Sequence, residues 1–159
     1  MLDEENNISV VVVMNWVTHD QRVLFAMEKI MSENVKMVIA VRRDLSMRKG
    51  KIAAQVAHAA MKFLIDANES EKPEELKVSL SEVETEWLMG SFTKVVVGVD
   101  SEDELNQLIL TAQLADIEVH PIVDNGLTEF NGVHTLTCAA FGPDKAEELD
   151  RITGNLKLI

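Results

Sequence analysis

One cysteine, Cys138, is all the thiol this 159-residue chain has. It closes no intrachain disulfide and no zinc cluster, so a reducing, cytoplasmic setting is expected. Long apolar runs are missing as well. Residues 10–14 make a run far short of the ~20 residues a membrane helix needs. The opening Met1-Leu2-Asp3-Glu4-Glu5 lacks the basic start of a secretory signal. Positive charge is scarce, with 15 Lys and Arg against 27 Asp and Glu and a net charge of −12. That balance excludes general stickiness toward nucleic acids or anionic membranes. A polyanion would need a local basic patch. Nucleotide motifs are absent. "RKGKI" has no glycine five residues before Gly50 and no Ser or Thr after Lys51, so it is no P-loop, and no Gly-x-Gly-x-x-Gly occurs. No serine sits in a nucleophile turn. Neither an internal repeat nor a low-complexity segment is present.

What is there alternates between strand and helix patterns. Apolar runs at residues 8–16, 37–41, 93–99, 118–123 and 135–141 read as strands. Between the first two, Thr18 and Gln21 form a capping box ahead of Leu24, Met27, Ile30 and Met31 at helical spacing. A helix is expected from near Gly50 to near Asp66. Residues 66–86 hold eight acids and two lysines. Leu76, Leu80, Val83 and Trp87 suggest one or two helical pieces there, with a solvated acidic side. Ser101 with Glu104 is a second capping box, opening a helix with Leu105, Leu108, Ile109 and Ala112 inward. Asp124-Asn125-Gly126 is a turn. Gly142-Pro143 should stop the last strand, and residues 144–152 make a short helix. The alternation predicts an α/β sheet with helices packed on its faces.

The scarce positive charge is concentrated. From Arg42 to Lys51 the chain places five cations and one anion. The helix that follows has an apolar stripe of Ile52, Val56, Ala59, Ala60, Phe63 and Ala67. Lys51, Gln55, His58 and Lys62 fall at i, i+4, i+7 and i+11, a second stripe on another face. Ala53, Ala54, Ala57 and Ala60 should keep the helix slim enough to lie close to a sheet. Its first turn offers free N–H groups and a dipole that favour an anion. Arg42, Arg43, Arg48, Lys49 and Lys51 surround that end. Five cations there oppose the dipole, which a merely solubilising turn has no reason to do. The second constellation is "VDNGLTEFNGVHTLTC". Asp124 ends a strand, where α/β active-site residues sit, although an Asp before Asn-Gly is also an ordinary turn former. Thr128, His134, Thr135 and Thr137 follow it. Cys138 reads as a buried strand residue and His120 as a structural or exposed one.

The segments "KMVIAVRRDLSMRKGKIAAQVAHAA", "TKVVVGVDSEDEL", "PIVDNGLTEF", "TLTCAAFGP" and "DRITGNLKLI" together resemble the second class of peptidyl-tRNA hydrolases, the archaeal and eukaryotic type. They run in family order over residues 36–159; residues 1–35 read as an N-terminal β-α extension outside the resemblance. The resemblance implies a three-layer α/β/α domain with a small mixed sheet, usually a homodimer. It implies hydrolysis of the ester between a peptide and the 3′ end of tRNA, with no metal or other cofactor. The family's lysine-glycine-lysine falls on Lys49, Gly50 and Lys51, and its helix glutamine and histidine on Gln55 and His58. Its loop aspartate and threonine fall on Asp124 and Thr128, and its strand threonine on Thr137, with Thr135 the competing assignment. Arg48 stands where relatives commonly carry glycine, and "EFNGVH" departs from the usual proline-glycine wording.

Ester hydrolysis needs an activated water, a stabilised oxyanion and a leaving ribose hydroxyl. Asp124 would orient or deprotonate the water, or set the charge of Lys51. Lys51 or the helix-start N–H groups would hold the oxyanion, Thr137 the water, and His58 the substrate. Arg42, Arg43, Arg48 and Lys49, with Gln55 and Thr128, would bind the tRNA end. The rival reading is a non-catalytic RNA-binding or protein-interaction module on the same fold.

Overall fold

The computed structural model describes residues 35–72 and 74–159. The expected strand at residues 8–16, the capping box at Thr18 and Gln21, and the helix bearing Leu24, Met27, Ile30 and Met31 lie outside them. The described elements are β1 (Val35–Arg42), α1 (Lys49–Asp66), α2 (Glu82–Met89), β2 (Lys94–Val99), α3 (Glu102–Leu114), β3 (Val119–Asp124), β4 (Thr135–Lys145), α4 (Ala146–Thr153) and β5 (Lys157–Leu158). The sheet order is β3-β4-β1-β2-β5. Among these strands only β1 and β2 pair in parallel; the other three pairings are antiparallel. This is the expected α/β/α architecture with a mixed sheet.

Strand alternation builds two cores. Met37, Ile39 and Val41 of β1 face one side, where Ala59 and Phe63 of α1 and Trp87 of α2 cover them. Val38 and Ala40 face the other, against Leu105 and Ala112 of α3 and Leu149 of α4. Phe63 and Trp87 meet edge to face at 5.5 Å between centroids. Burying an aromatic of that size is worth roughly 2–3 kcal/mol. Among the described residues no helix is long and apolar enough to cross a membrane.

Four local expectations need correction. Gly142-Pro143 does not end β4, which continues to Lys145 because an irregularity opposite Met37 absorbs the pair and pairing resumes at Lys36–Asp144. The final helix accordingly starts at Ala146 rather than Asp144. The acidic segment, by contrast, holds one helix, within the one or two expected: α2, capped by a complete Ser81–Glu84 box, with Val83 and Trp87 inside it and Leu76 and Leu80 outside. Finally, Ala53, Ala54 and Ala57 do not face the sheet. They are exposed, and Ala59 makes the close approach. At Ser101 half the expected box forms: its hydroxyl accepts from Glu104 N, while Glu104 reaches one residue further, to Asp100 N.

α1 is fastened to β3 at its far end. His120 is buried against Phe63, and its Nδ1 lies 3.0 Å from Asp66 Oδ2. Asp66 also holds Lys62 at 2.5 Å. These contacts fix α1 alongside the sheet edge and position the side chains on its outward stripe.

Candidate active site

The stripe on α1 and the turn after β3 face each other across a pocket of about 560 Å³. Its wall carries Arg48, Lys51, Gln55, His58, Asp124, Thr128 and Glu129. Six of these seven are residues the sequence nominated. Glu129 was missed, although it stands beside Thr128 in "LTEF"; its carboxylate takes Arg48 Nε at 2.7 Å. His58 is exposed on the wall. Lys49 is exposed at the helix start but off the wall. A Cβ built on Gly50 meets nothing within 4 Å, so the first turn is open to approach.

Lys51 and Asp124 pair at 2.5 Å, with side chains only 12% and 10% exposed. Lys51 Nζ also donates to Thr128 Oγ1 at 3.1 Å. An ammonium has three N–H donors, so one remains for the pocket. On Asp124, Oδ2 accepts from Lys51 and from Gln55 Nε2 at 2.8 Å, and Oδ1 accepts from Gly126 N at 2.8 Å. A carboxylate has about four acceptor sites, so Oδ1 keeps one. The turn supplying Gly126 needs glycine there: φ is +77°, and a Cβ would sit 2.5 Å from Val133 O. The Lys51 hydrogen bond, followed by those from Gly126 and Gln55 against the cost of burial, holds the Asp124 carboxyl below the ordinary carboxylate range.

Thr137 does not line the pocket; it supports it from beneath. Its hydroxyl is fully buried, 2.7 Å from Gln55 Oε1 and 3.2 Å from Ile122 O. Since Asp124 only accepts, Gln55 must turn its nitrogen to Asp124 and its oxygen to Thr137. Thr137 is therefore not in reach to hold a water in the pocket, as the sequence suggested. Its orientation comes from a β-bulge. Ile122 opposes Cys138 and Val123 opposes Leu136, so Thr137 is the extra residue and turns to the same face as Cys138. Thr135 bonds back to Val133 O and reaches none of this.

Two nominated cations lie away from the pocket. Arg42 follows Val38 and Ala40 onto the α3 side of the sheet, where it pairs with Asp44 and Glu102 and donates to Leu136 O. Its side chain is 9% exposed. Arg43 pairs with Asp100 and lies across Gly98, where a Cβ would come within 2.5 Å of it. Arg48 is 79% exposed and Lys49 is exposed, so the accessible positive charge is at the helix start. Cys138 is buried, and burial pushes its thiol up to about 12, which leaves almost no thiolate for nucleophilic chemistry. His134 is exposed in the loop and not on the wall. Among the described residues no group of three His, Cys, Asp or Glu side chains is arranged to hold a metal ion.

Comparison with known proteins identifies the family. The family model described as Peptidyl-tRNA hydrolase PTH2 matches residues 35–159. A Thermoplasma acidophilum protein named peptidyl-tRNA hydrolase is 42% identical over 124 residues, covering 78% of this chain and 97% of its own length. One of the same name from Sulfurisphaera tokodaii is 44% identical over 125 residues, covering 78% and 98%. Another from Methanocaldococcus jannaschii is 39% identical over 125 residues, covering 79% and 100%. A solved structure of an Agrobacterium tumefaciens protein of unknown function shares the fold at a TM-score of 0.50 and 13% identity, covering 80% of this chain and 98% of that one. With a family model spanning nearly four-fifths of its length and relatives at about two-fifths identity, this chain belongs to the Peptidyl-tRNA hydrolase PTH2 family.

Proposed function

We propose that the chain hydrolyses the ester between a peptide and the 3′ end of tRNA, and that the chemistry takes place between Lys51 and Asp124. The observation that carries the site is the donor and acceptor count at that pair. One N–H of Lys51 and one acceptor site of Asp124 are left over, and both belong to groups on the pocket wall.

The leftover site on Asp124 Oδ1 holds the attacking water. A carboxyl kept this acidic is a weak base, since proton transfer is efficient when the base titrates near the working pH. Asp124 therefore orients the water and anchors Lys51 by their hydrogen bond. The free N–H of Lys51 meets the oxyanion that forms as water adds to the ester carbon. One preorganised donor of this kind is worth roughly 3 kcal/mol. When the carbon–oxygen bond breaks, the proton given up by the attacking water ends on the ribose oxygen, which leaves with the tRNA, while the peptide departs as a carboxylic acid. His58, exposed beside Gln55, orients the ester. Arg48 and Lys49 meet the acceptor-end phosphates, and Thr128 and Gln55 hold the two charged groups.

The same reading makes the protein a homodimer, as the resemblance implies, and cytoplasmic, in keeping with its single cysteine; sedimentation tests the stoichiometry. The deciding experiment is turnover of peptidyl-tRNA against Lys51→Ala. Release of tRNA by the wild type and its loss in the variant support the reading. Tight tRNA binding without turnover leaves a non-catalytic RNA-binding module.

A further inference from the structure

A second depression, of about 340 Å³, adjoins the first and shares Gln55, His58 and Asp124 with it. It runs away from the helix start. One side is α1 as far as Lys62; the other is β3, with Pro121 and Val123. From Lys51 to Lys62 is about 16 Å of helix. The exposed cations Arg48 and Lys49 lie at one end of this track and the groove at the other. Lys62 closes its far end by pairing with Asp66, which in turn holds His120.

β3 is the terminal strand of the sheet among the described residues. Gly142 N donates to Glu118 O, and Ile122 O faces the Thr137 hydroxyl, so even-numbered residues of β3 turn their backbone groups toward β4. Val119, Pro121 and Val123 therefore turn theirs outward. Pro121 sits where a missing N–H costs the ladder nothing. Val123 is 58% exposed, an apolar side chain beside a strand edge that no described strand covers.

We propose that this groove is the peptide subsite: the last residues of the nascent peptide lie extended beside β3 and pair with Pro121 C=O and Val123 N–H. This rests on the hydrolase reading above. An ester substrate must continue on both sides of the scissile bond. With the polyanionic half at Arg48 and Lys49, the peptide half continues past His58 into the groove. The stretch from Asp124 back to Pro121 matches about three extended residues at ~3.3 Å each. Strand addition reads backbone and tolerates any side chain, which suits a substrate whose peptide sequence varies.

The test compares two substrates on one tRNA with the same esterified residue, an N-acetyl-aminoacyl-tRNA and a tripeptidyl-tRNA. The wild type should favour the tripeptide by about tenfold in kcat/KM, the worth of two neutral hydrogen bonds. Val123→Trp, which crowds the strand edge with a strand-compatible side chain, should erase that preference by lowering kcat/KM for the tripeptide more than for the one-residue substrate. Tripeptides N-methylated at one backbone nitrogen at a time test the pairing with the protein untouched; at least one should fall to the one-residue level. Equal kcat/KM for both substrates on an active wild type overturns the subsite alone. So does a full set of N-methylated tripeptides that keep the preference, or an equal loss on both substrates in a folded Val123→Trp. A wild type inert toward both substrates overturns the hydrolase reading and this proposal with it.

Discussion

The Thr137 hydroxyl lies 2.7 Å from Gln55 Oε1, although 82 residues separate them in the chain. Through that hydrogen bond a buried strand residue orients the amide that steadies Asp124. Thr137→Val removes the donor and leaves a buried acceptor without its partner. The expected cost is about 1–3 kcal/mol of stability, with kcat reduced more than KM because Asp124 loses its alignment. Thr135→Val should change neither. Urea midpoints and steady-state kinetics on both variants check this, and equal behaviour of the two would refute the supporting role of Thr137.

Lys51→Ala and Asp124→Ala should each lower kcat by at least ~10²-fold, as for groups acting in the transition state. The losses should not add, because each residue holds the other in place. Turnover of the double variant near that of either single one is the expected result. Fully multiplicative losses would mean that the two act independently.

Acid should act through the carboxyls that the fold holds low. Lys51 depresses Asp124 and Arg42 depresses Asp44. A carboxyl whose folded pKa lies below its unfolded value near 3.9 adds stability above that value and loses it as pH falls through the folded one. Stability attributable to Asp124 should hold from neutral pH down to about 5 and decline below about 4. The gap in urea midpoint between wild type and Asp124→Asn should narrow over that acid range. A gap that stays constant down to the most acid pH tested would contradict the assignment.

Arg42 and the Arg48–Lys49 pair should separate cleanly. Arg42→Ala removes a buried guanidinium that ties together Asp44, Glu102 and Leu136 O, so it should destabilise the fold. It should leave the salt dependence of tRNA binding alone. Replacing Arg48 and Lys49 with alanine should spare stability and reduce the salt slope by about 1 for each phosphate no longer neutralised. Binding titrations at several ionic strengths, paired with thermal melts, decide it; a slope change from Arg42→Ala would put RNA on the α3 side.

Deleting residues 1–34 tests the domain division. The family match begins at residue 35, and relatives aligned to the rest of the chain are covered for 97–100% of their length. Catalysis per folded site should survive the deletion. A folded truncation without activity would move part of the site into the first 34 residues.

The reach of the sequence differs from residue to residue. Lys51, Gln55 and His58 were legible because helix period alone puts positions 51, 55 and 58 on one face. Asp124 was legible because a strand pattern ends at it. β5 was not, because two residues carry no period. Glu129 was not either, because a loop acid has no pattern until the loop closes onto Arg48. Arg42 misled for a reason of strand geometry. In the chain it heads a run of cations, but as an even-numbered residue of β1 it follows Val38 and Ala40 to the opposite face.

By itself the sequence determined the alternation of elements, the two faces of α1 and the concentration of scarce positive charge at that helix's start, because each is a local property of spacing and composition. Only the tertiary structure decided which threonine reaches Gln55 beneath the pocket. That choice depends on one extra residue in β4 opposite β3, and a bulge is a property of how two strands pair, which neither strand's own pattern contains.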